Sequence, residues 1–570
     1  MKPVARPLAT ARQRLLVIAG FFLIFMGMIA VTLVKVSLWH DPSQRDTRAI
    51  TARKDSDEDF GLPDRAVRAE IRDRNGNMLA TTLRMASVFA DPKDILDADE
   101  AARKLAPLLA QETVATLKEK LTRKSRFVWL KRNITPKEQY EINKLGIPGI
   151  DFRYEERRIY PDDELVSHVV GYTDRDGAGI AGLEKYFDKE LAAHPEPLFL
   201  SIDNRIQHIV RRETLNAVER FSAIGGIGMI MNVKSGEILA MVSVPDFNPN
   251  KPAASTGTGP DNPRFNRAAL GVYEMGSTFK SLTLAEAFDL GEVNMNSSVD
   301  ARNAIKIGRF TIDDYKGEYR VLSVPEVFVY SSNIGTVKIV EKIGTPKFRA
   351  FLDRIGMTKP APIELPEVGY PILPKPWGDV HTKTISFGHG LAVSATQLLR
   401  AESAMVNGGI LVTPTLIKKE FYGEPQGERV ISKQASQSMQ QLLRLNVLAG
   451  TGGKAAVPGY VVGGKTGTTN KPVAGGYSET KLISSFIAAF PMDDPQYAVL
   501  VMVDEPKPRK DTFGYATGGW VAAPAVANII AGAAPILGIA PRDENAPELL
   551  EKLTPEGMNL AEFIESTKGH

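Results

Sequence analysis

Residues 15–34, LLVIAGFFLIFMGMIAVTLV, are twenty consecutive positions without a charge. As a helix rising 1.5 Å per residue such a run is about 30 Å long, the hydrocarbon thickness of a bilayer. It has no polar face, so a buried core helix is a poor alternative. Lys2, Arg6, Arg12 and Arg14 precede it with no acidic residue, and Trp39 follows as an interfacial anchor. The positive-inside rule then predicts a cytoplasmic tail over 1–14, a single membrane span over 15–38 and an extracytoplasmic remainder, the topology of a bacterial inner-membrane protein. A cleaved signal peptide is the competing reading. Its apolar region would be unusually long, and VKVSLWHDP offers no small-residue cleavage site.

The 570 residues include no cysteine, which excludes thiol catalysis, disulfide frameworks and Cys-ligated zinc. The seven His residues form no HExxH or other close-spaced pair, so no metal is expected. With 70 basic against 67 acidic side chains there is no excess positive charge to hold a nucleic acid.

Along the chain, 39–60 reads as a polar linker. A module over 61–194 alternates short extended and helical segments, with 102–121 mostly helical on the spacing of Leu105, Leu108, Leu109 and Leu117. From 195 to 537 strands and helices alternate with Gly turns. Residues 226–245 predict a hairpin around Lys234-Ser235-Gly236, and 481–506 a second strand pair. Residues 277–290 predict a helix with Phe279, Leu282, Ala285 and Phe288 inward, ended by Gly291. Together these give an α+β fold with helices packed on a mainly antiparallel sheet. Residues 538–570 read as a polar, peripheral tail.

Three short patterns carry chemistry. Ser277-Thr278-Phe279-Lys280 is an S-x-x-K at a helix start, whose spacing sets Ser277 and Lys280 on one face about a turn apart. The helix N-terminus favours developing negative charge, and a desolvated Lys can lose its proton and activate the hydroxyl. About two copies are expected by chance in such a length, and Ser478-Glu479-Thr480-Lys481 is the second, in a polar stretch. Ser331-Ser332-Asn333 follows an apolar run and opens a helix. It reads either as an N-cap cluster or as a proton relay (Ser331) with an orienting amide (Asn333). Lys465-Thr466-Gly467-Thr468 reads as a strand with Lys465 on one face, Thr466 and Thr468 on the other, and Gly467 allowing close approach. Such an edge suits a carboxylate-bearing substrate. Lys234-Ser235-Gly236 repeats the pattern in a hairpin turn.

Two nucleotide patterns compete. Residues 459–466 match the phosphate loop GxxxxGK[ST], but Gly467, Pro472, Gly475 and Gly476 follow where a helix should open. Gly177, Gly179 and Gly182 match GxGxxG after polar TDRD, with no strand leading in.

S-x-x-K, S-x-N and K-T-G in that order resemble the penicillin-binding proteins. Arg68-Ala-Glu-Ile-Arg-Asp73-Arg74-Asn75-Gly76, Arg158-Ile159-Tyr160-Pro161 and Gly179-Ile-Ala-Gly182-Leu-Glu184 resemble signatures of the class B N-terminal module. Ser386-Phe-Gly388-His389-Gly390 with Gln397, and Gly518-Gly-Trp-Val-Ala-Ala-Pro524, resemble later landmarks of the transpeptidase domain. Ala69, Met275 and His389 depart from the family's usual Gly, Pro and Gln. The resemblance implies a division-specific D,D-transpeptidase, with 61–194 as a pedestal and 195–537 as the catalytic domain. It implies Ser277 as nucleophile, Lys280 as base, Ser331 and Asn333 in relay and orientation, and Lys465, Thr466, Gly467 and Thr468 on the substrate carboxylate. The backbone N–H groups of Ser277 and Thr468 would form the oxyanion hole. It implies no cofactor. The partners implied are peptidoglycan stem peptides, β-lactams as covalent inhibitors, the inner membrane, a septal glycan polymerase and other division proteins. An elongation-type enzyme, a membrane-anchored β-lactam receptor and an inactive division scaffold stay open as alternatives.

Overall fold

The computed structural model describes residues 26–27 and 68–567, apart from 111, 253–258, 309, 421–422 and 474–475. The expected anchor, its cytoplasmic tail and the linker over 39–60 otherwise lie outside the described residues.

The N-terminal part is built on a mixed sheet. Strand β1 (Ile71–Arg72) pairs antiparallel with the long β2 (Met78–Ala90), which pairs in turn with β3 (Val128–Ile134) and β4 (Ile150–Ile159). Helices α1 (Ala98–Leu105), α2 (Val114–Leu121) and α3 (Pro136–Lys144) complete this part. Leu105, Leu117 and Leu121 bury against Ala86, Val88, Leu130 and Ile134. The helix expected over 102–121 is therefore two helices. Pro107 has no N–H to continue the ladder after Ala106, and Thr113 restarts the chain by accepting a hydrogen bond from Thr116 N. Strand β5 (Leu198–Phe199) joins this sheet parallel to β1.

A buried ion network ties the module's signatures together. Glu184 is fully buried, and its two carboxylate oxygens accept from Arg68 Nε and Arg158 Nε, each at 2.7 Å. Asp73 closes the Asp-Arg-Asn-Gly turn by accepting from Asn75 N and Asn77 N, both at 2.8 Å.

The second sheet follows helix α4 (Asn204–Arg220). Strands β6 (Gly225–Asn232) and β7 (Ile238–Val244) form the expected hairpin. Helices α5 (Phe279–Asp289), α6 (Val324–Val329), α7 (Asn333–Ile343), α8 (Ala395–Val406) and α9 (Lys433–Ala449) come next in the chain. Then come β8 (Gly463–Val473), β9 (Gly476–Phe490) and β10 (Tyr497–Asp504), and helix α10 (Gly518–Ile536). The sheet order is β8-β9-β10-β6-β7 and every pairing is antiparallel, with β8 at one edge.

Both faces of this sheet are covered. Met229, Ile487 and Leu500 pack with Leu282, Ala401 and Leu442 on one side. Ile230, Phe486 and Val501 pack with Ile206, Val210, Val526 and Ile529 on the other. Two buried faces explain why these strands read as continuous apolar runs and not as an alternation. Helix α5 is buried on every side from Phe279 to Ala287. Among the described residues α10 is the helix long and apolar enough to cross a membrane, yet it packs into the domain core against α4 and the sheet.

The tail is a second correction. Helices α11 (Pro547–Leu553) and α12 (Leu560–Thr567) form within 538–570, with Leu549 and Leu553 buried in the core. Arg444 of α9 holds this segment through Glu544 at 2.7 Å.

Candidate active site

Gly276, Ser277 and Thr278 form a single 3₁₀ turn that runs into α5. The helix expected from Ser277 thus begins two residues later, and Lys280 lies in its first turn. Met275 is buried, and its carbonyl accepts from Thr278 Oγ1 at 2.8 Å. Gly276 has φ +56°, and a Cβ there would lie 2.2 Å from Thr469 Oγ1. Gly388 presses from the opposite side. Its carbonyl accepts from Gly276 N at 3.1 Å, and a Cβ on it would lie 2.1 Å from Gly276 O. Ser277 is therefore presented by two glycines that no side chain could replace without moving backbone.

Lys280 is fully buried. Its Nζ donates to Ser277 Oγ at 3.1 Å, Ser331 Oγ at 3.0 Å and Asn333 Oδ1 at 2.8 Å, and also to the Ser331 carbonyl. Burial pushes its pKa down to about 7, against the opposing charge of Asp314. A substantial neutral fraction at physiological pH is what a general base requires.

Ser331 has φ +58°, left-handed backbone that a non-glycine residue adopts at some cost. This bend lets the three-residue motif divide its work. Ser332 caps α7, accepting from Gly335 N at 2.9 Å, while Ser331 and Asn333 turn to the lysine. The N-cap and relay readings of this segment thus fall on different residues. Asp314 holds the arrangement from outside, accepting from Ser332 Oγ at 2.7 Å, Ile334 N at 2.9 Å and Asn333 N. The Asp313 carbonyl accepts from Asn333 Nδ2 at 2.9 Å.

Edge strand β8 closes the cleft. Lys465 is fully buried, and its Nζ donates to Ser331 Oγ at 3.0 Å. Burial, followed by the nearby charge of Lys280, pushes its pKa well below the ordinary lysine value. Thr466 Oγ1 lies 2.7 Å from Thr451 Oγ1, and Thr468 Oγ1 accepts from Gly518 N at 3.0 Å. A Cβ on Gly467 would meet Ser485 Oγ at 2.4 Å and Met275 O at 2.7 Å. Ser277, Lys280, Ser331, Asn333 and Lys465 thus share one hydrogen-bond network, with Thr466, Gly467 and Thr468 along its edge. Asp313, Asp314 and Thr451 were not singled out from the sequence, since each lies in a loop without periodicity or motif.

The competing patterns lie elsewhere. Ser478 and Lys481 lie on β9, where Lys481 pairs with Glu505 at 3.5 Å. Lys234 lies in the hairpin turn and reaches Asp494 at 2.9 Å. No helix opens at Lys465, which is inside a strand. Gly179 and Gly182 flank a two-stranded ribbon leading to the Glu184 network. His389 packs edge-on against Tyr477 at 5.6 Å, and burial, with the charge of Lys280, pushes it down to about 4.

A serine hydroxyl, two buried lysines and a second serine between them lie beside the edge strand, an arrangement whose chemistry suits acyl transfer. Residues 226–531 match the family described as penicillin binding protein transpeptidase domain, and residues 63–213 the penicillin-binding protein dimerisation domain. The chain belongs to the penicillin-binding proteins. It is 38% identical over 556 residues to a probable peptidoglycan D,D-transpeptidase FtsI of Caulobacter vibrioides, covering 95% of this chain and 92% of that one. It is 32% identical over 508 residues to the peptidoglycan D,D-transpeptidase FtsI of Escherichia coli K12, covering 83% and 84%. The fold matches a crystal structure of penicillin binding protein 3 from Mycobacterium tuberculosis with a TM-score of 0.66, at 23% identity over 84% of this chain and 98% of that one. Within the family it is a class B, division-type member and a serine peptidoglycan D,D-transpeptidase.

Proposed function

We propose that Ser277 is the nucleophile that attacks the penultimate carbonyl of a D-Ala-D-Ala stem peptide. Neutral Lys280 Nζ takes the Ser277 proton as the C–O bond forms. The carbonyl oxygen, now negative, faces the backbone N–H groups of Ser277 and Thr468, each such donor contributing about 3–4 kcal/mol in comparable sites. Collapse breaks the peptide bond, and the proton passes from Lys280 through Ser331 Oγ to the leaving D-Ala amine. An amine of a second stem peptide then attacks the acyl-enzyme, and the same groups run in reverse. Lys465, Thr466 and Thr468 hold the terminal carboxylate, with Gly467 admitting the peptide beside β8 as an added strand. Asn333 keeps Lys280 aimed.

The observation that carries this reading is a fully buried lysine nitrogen 3.1 Å from Ser277 Oγ and 3.0 Å from Ser331 Oγ. Fluorescent penicillin labelling of the wild type and Ser277→Ala tests it. Labelling of both alike, or of neither, contradicts it.

The membrane span over 15–38, with its uncharged run and basic lead-in, supports a single-pass inner-membrane enzyme with its N-terminus in the cytoplasm and the rest outside. The module over 61–194 is then a pedestal that lifts the catalytic cleft and offers a surface to a septal glycan polymerase and other division proteins. A fluorescent fusion should collect at mid-cell; an even lateral distribution contradicts the septal assignment.

A further inference from the structure

Lys280 and Lys465 both donate to Ser331 Oγ, each at 3.0 Å, and both are fully buried. Two ammonium groups so close and out of water repel each other, and must either shed a proton or face a nearby anion. On the Lys280 side the anion is Asp314. On the Lys465 side stands Glu402, in the middle of α8 and 4% exposed.

The register puts Glu402 and Lys465 in one layer. Lys465 pairs with Ile487, and Ile487 with Leu500. Ile487 and Leu500 pack in the same core cluster as Ala401, Met405 and Leu282, and opposed residues of a sheet share a face. Glu402 lines a void of about 10 Å³ together with Gly464 and Ile487, the neighbour and the partner of Lys465. Its Oε1 and the buried Oγ of Ser281, the residue after Lys280, are near enough to interact but make no hydrogen bond of good geometry. Arg444, the buried basic side chain of α9, is engaged with Glu544 and the Val462 carbonyl.

A buried carboxyl with an unpartnered oxygen is costly, and an apolar side chain would fill this layer better. Burial pushes the Glu402 carboxyl up to about 8, only partly offset by the Ser281 hydroxyl and the Lys465 charge. Near neutral pH the carboxyl therefore keeps its proton in much of the population, while burial weakens the hold of the Lys465 amine on its own.

We propose that Glu402 is a positioning residue for the carboxylate site, its carboxyl giving up a proton as the Lys465 amine gains one when an anionic substrate end arrives, and regaining it on release. The proton gained by Lys465 is offset by one lost from Glu402, so no net proton is drawn from solvent. The inference rests on Lys465 as the group that holds the substrate carboxylate.

Calorimetry in two buffers of different ionisation heat tests it, on the full chain in detergent carrying Ser277→Ala, titrated with benzylpenicillin at pH 7.5. With Glu402 present, close to zero protons should be exchanged with the buffer. With Glu402→Gln about one proton should be taken up per ligand bound, and binding should weaken about tenfold at pH 8.5. Glu402→Leu, which needs no hydrogen-bond partner, should behave the same way and covers a folding failure of the first variant. Proton uptake in the Glu402 protein, or none in either variant, overturns the proposal. Unchanged penicillin binding by Lys465→Gln would instead remove the carboxylate-site reading, and the proposal with it.

Discussion

Lys280 gives up its hydration to the packing of α5 and is left with four oxygens around three possible protons. The same burial that makes it a base at neutral pH makes it a burden on stability. With a folded pKa of about 7, the rate of penicillin acylation should rise about tenfold per pH unit below 7 and level off above it. Lys280→Arg keeps the charge but not the titration, since a guanidinium stays protonated, and should slow labelling by about a hundredfold or more. The stability effect has a definite sign. Between about 7 and the unfolded value of about 10.4 the unfolded chain binds more protons, so stability rises with pH across that window. Below 7 the penalty is present in full. Lys280→Met should therefore stabilise the protein at pH 6.5, by on the order of a few kcal/mol, with the gain shrinking at pH 9. Thermal melts at the two pH values check this; a loss of stability at pH 6.5 would contradict it.

At the scale of elements, the site depends on how α7 begins. Its cap is shared between Ser332 and Asp314, and the geometry of Ser331 and Asn333 follows from it. Asp314→Ala removes three acceptor contacts and should cost about 1–2 kcal/mol in denaturant unfolding. Acylation should slow about tenfold, because Asn333 then loses the backbone anchor that points it at Lys280. Acylation at the wild-type rate would show that Asp314 caps the helix without serving the site. The Ser331–Asn333 segment was visible in the sequence as a pattern, but Asp314 was not: it lies in a loop brought to the helix only by tertiary packing. Gly388 was visible only through family resemblance, since nothing in its own sequence says it will press on the Gly276 carbonyl. The hairpin β6–β7 and the pair β9–β10 were legible because their apolar runs end in turn residues. The break between α1 and α2 was obscured because the leucine spacing continues across Pro107. The terminal helices were missed because two buried leucines, Leu549 and Leu553, are too few to show through a polar composition.

Over the whole molecule, the N-terminal module and the catalytic domain answer to different forces. Glu184, fully buried between Arg68 and Arg158, holds the module's signatures together without touching Ser277 or its partners. Glu184→Gln leaves buried Arg158 without a carboxylate and Arg68 with only the partly exposed Asp188, and should cost about 3–5 kcal/mol. The yield of folded protein should fall, while each surviving molecule acylates at the wild-type rate; a slowed rate per folded molecule would show the module coupled to the cleft. Length and apolarity alone would have made α10 a membrane segment, and only its burial against α4 and the sheet assigns it to the core. The edge strand β8 carries a further consequence, one of colloidal safety. An unpaired sheet edge is a template on which other chains can stack, and proteins usually blunt it with charge, proline or a short strand. In the proposed function this edge stays open to a peptide, with Lys471 and Pro472 toward its far end and close packing around Gly467. Gly467 is confined by Met275 on one side and Gly518 on another, closely enough that even one added methyl group would collide. A neighbouring strand arriving there meets a lysine, a proline and a glycine with no room beside it for added bulk, each of which disfavours stacking.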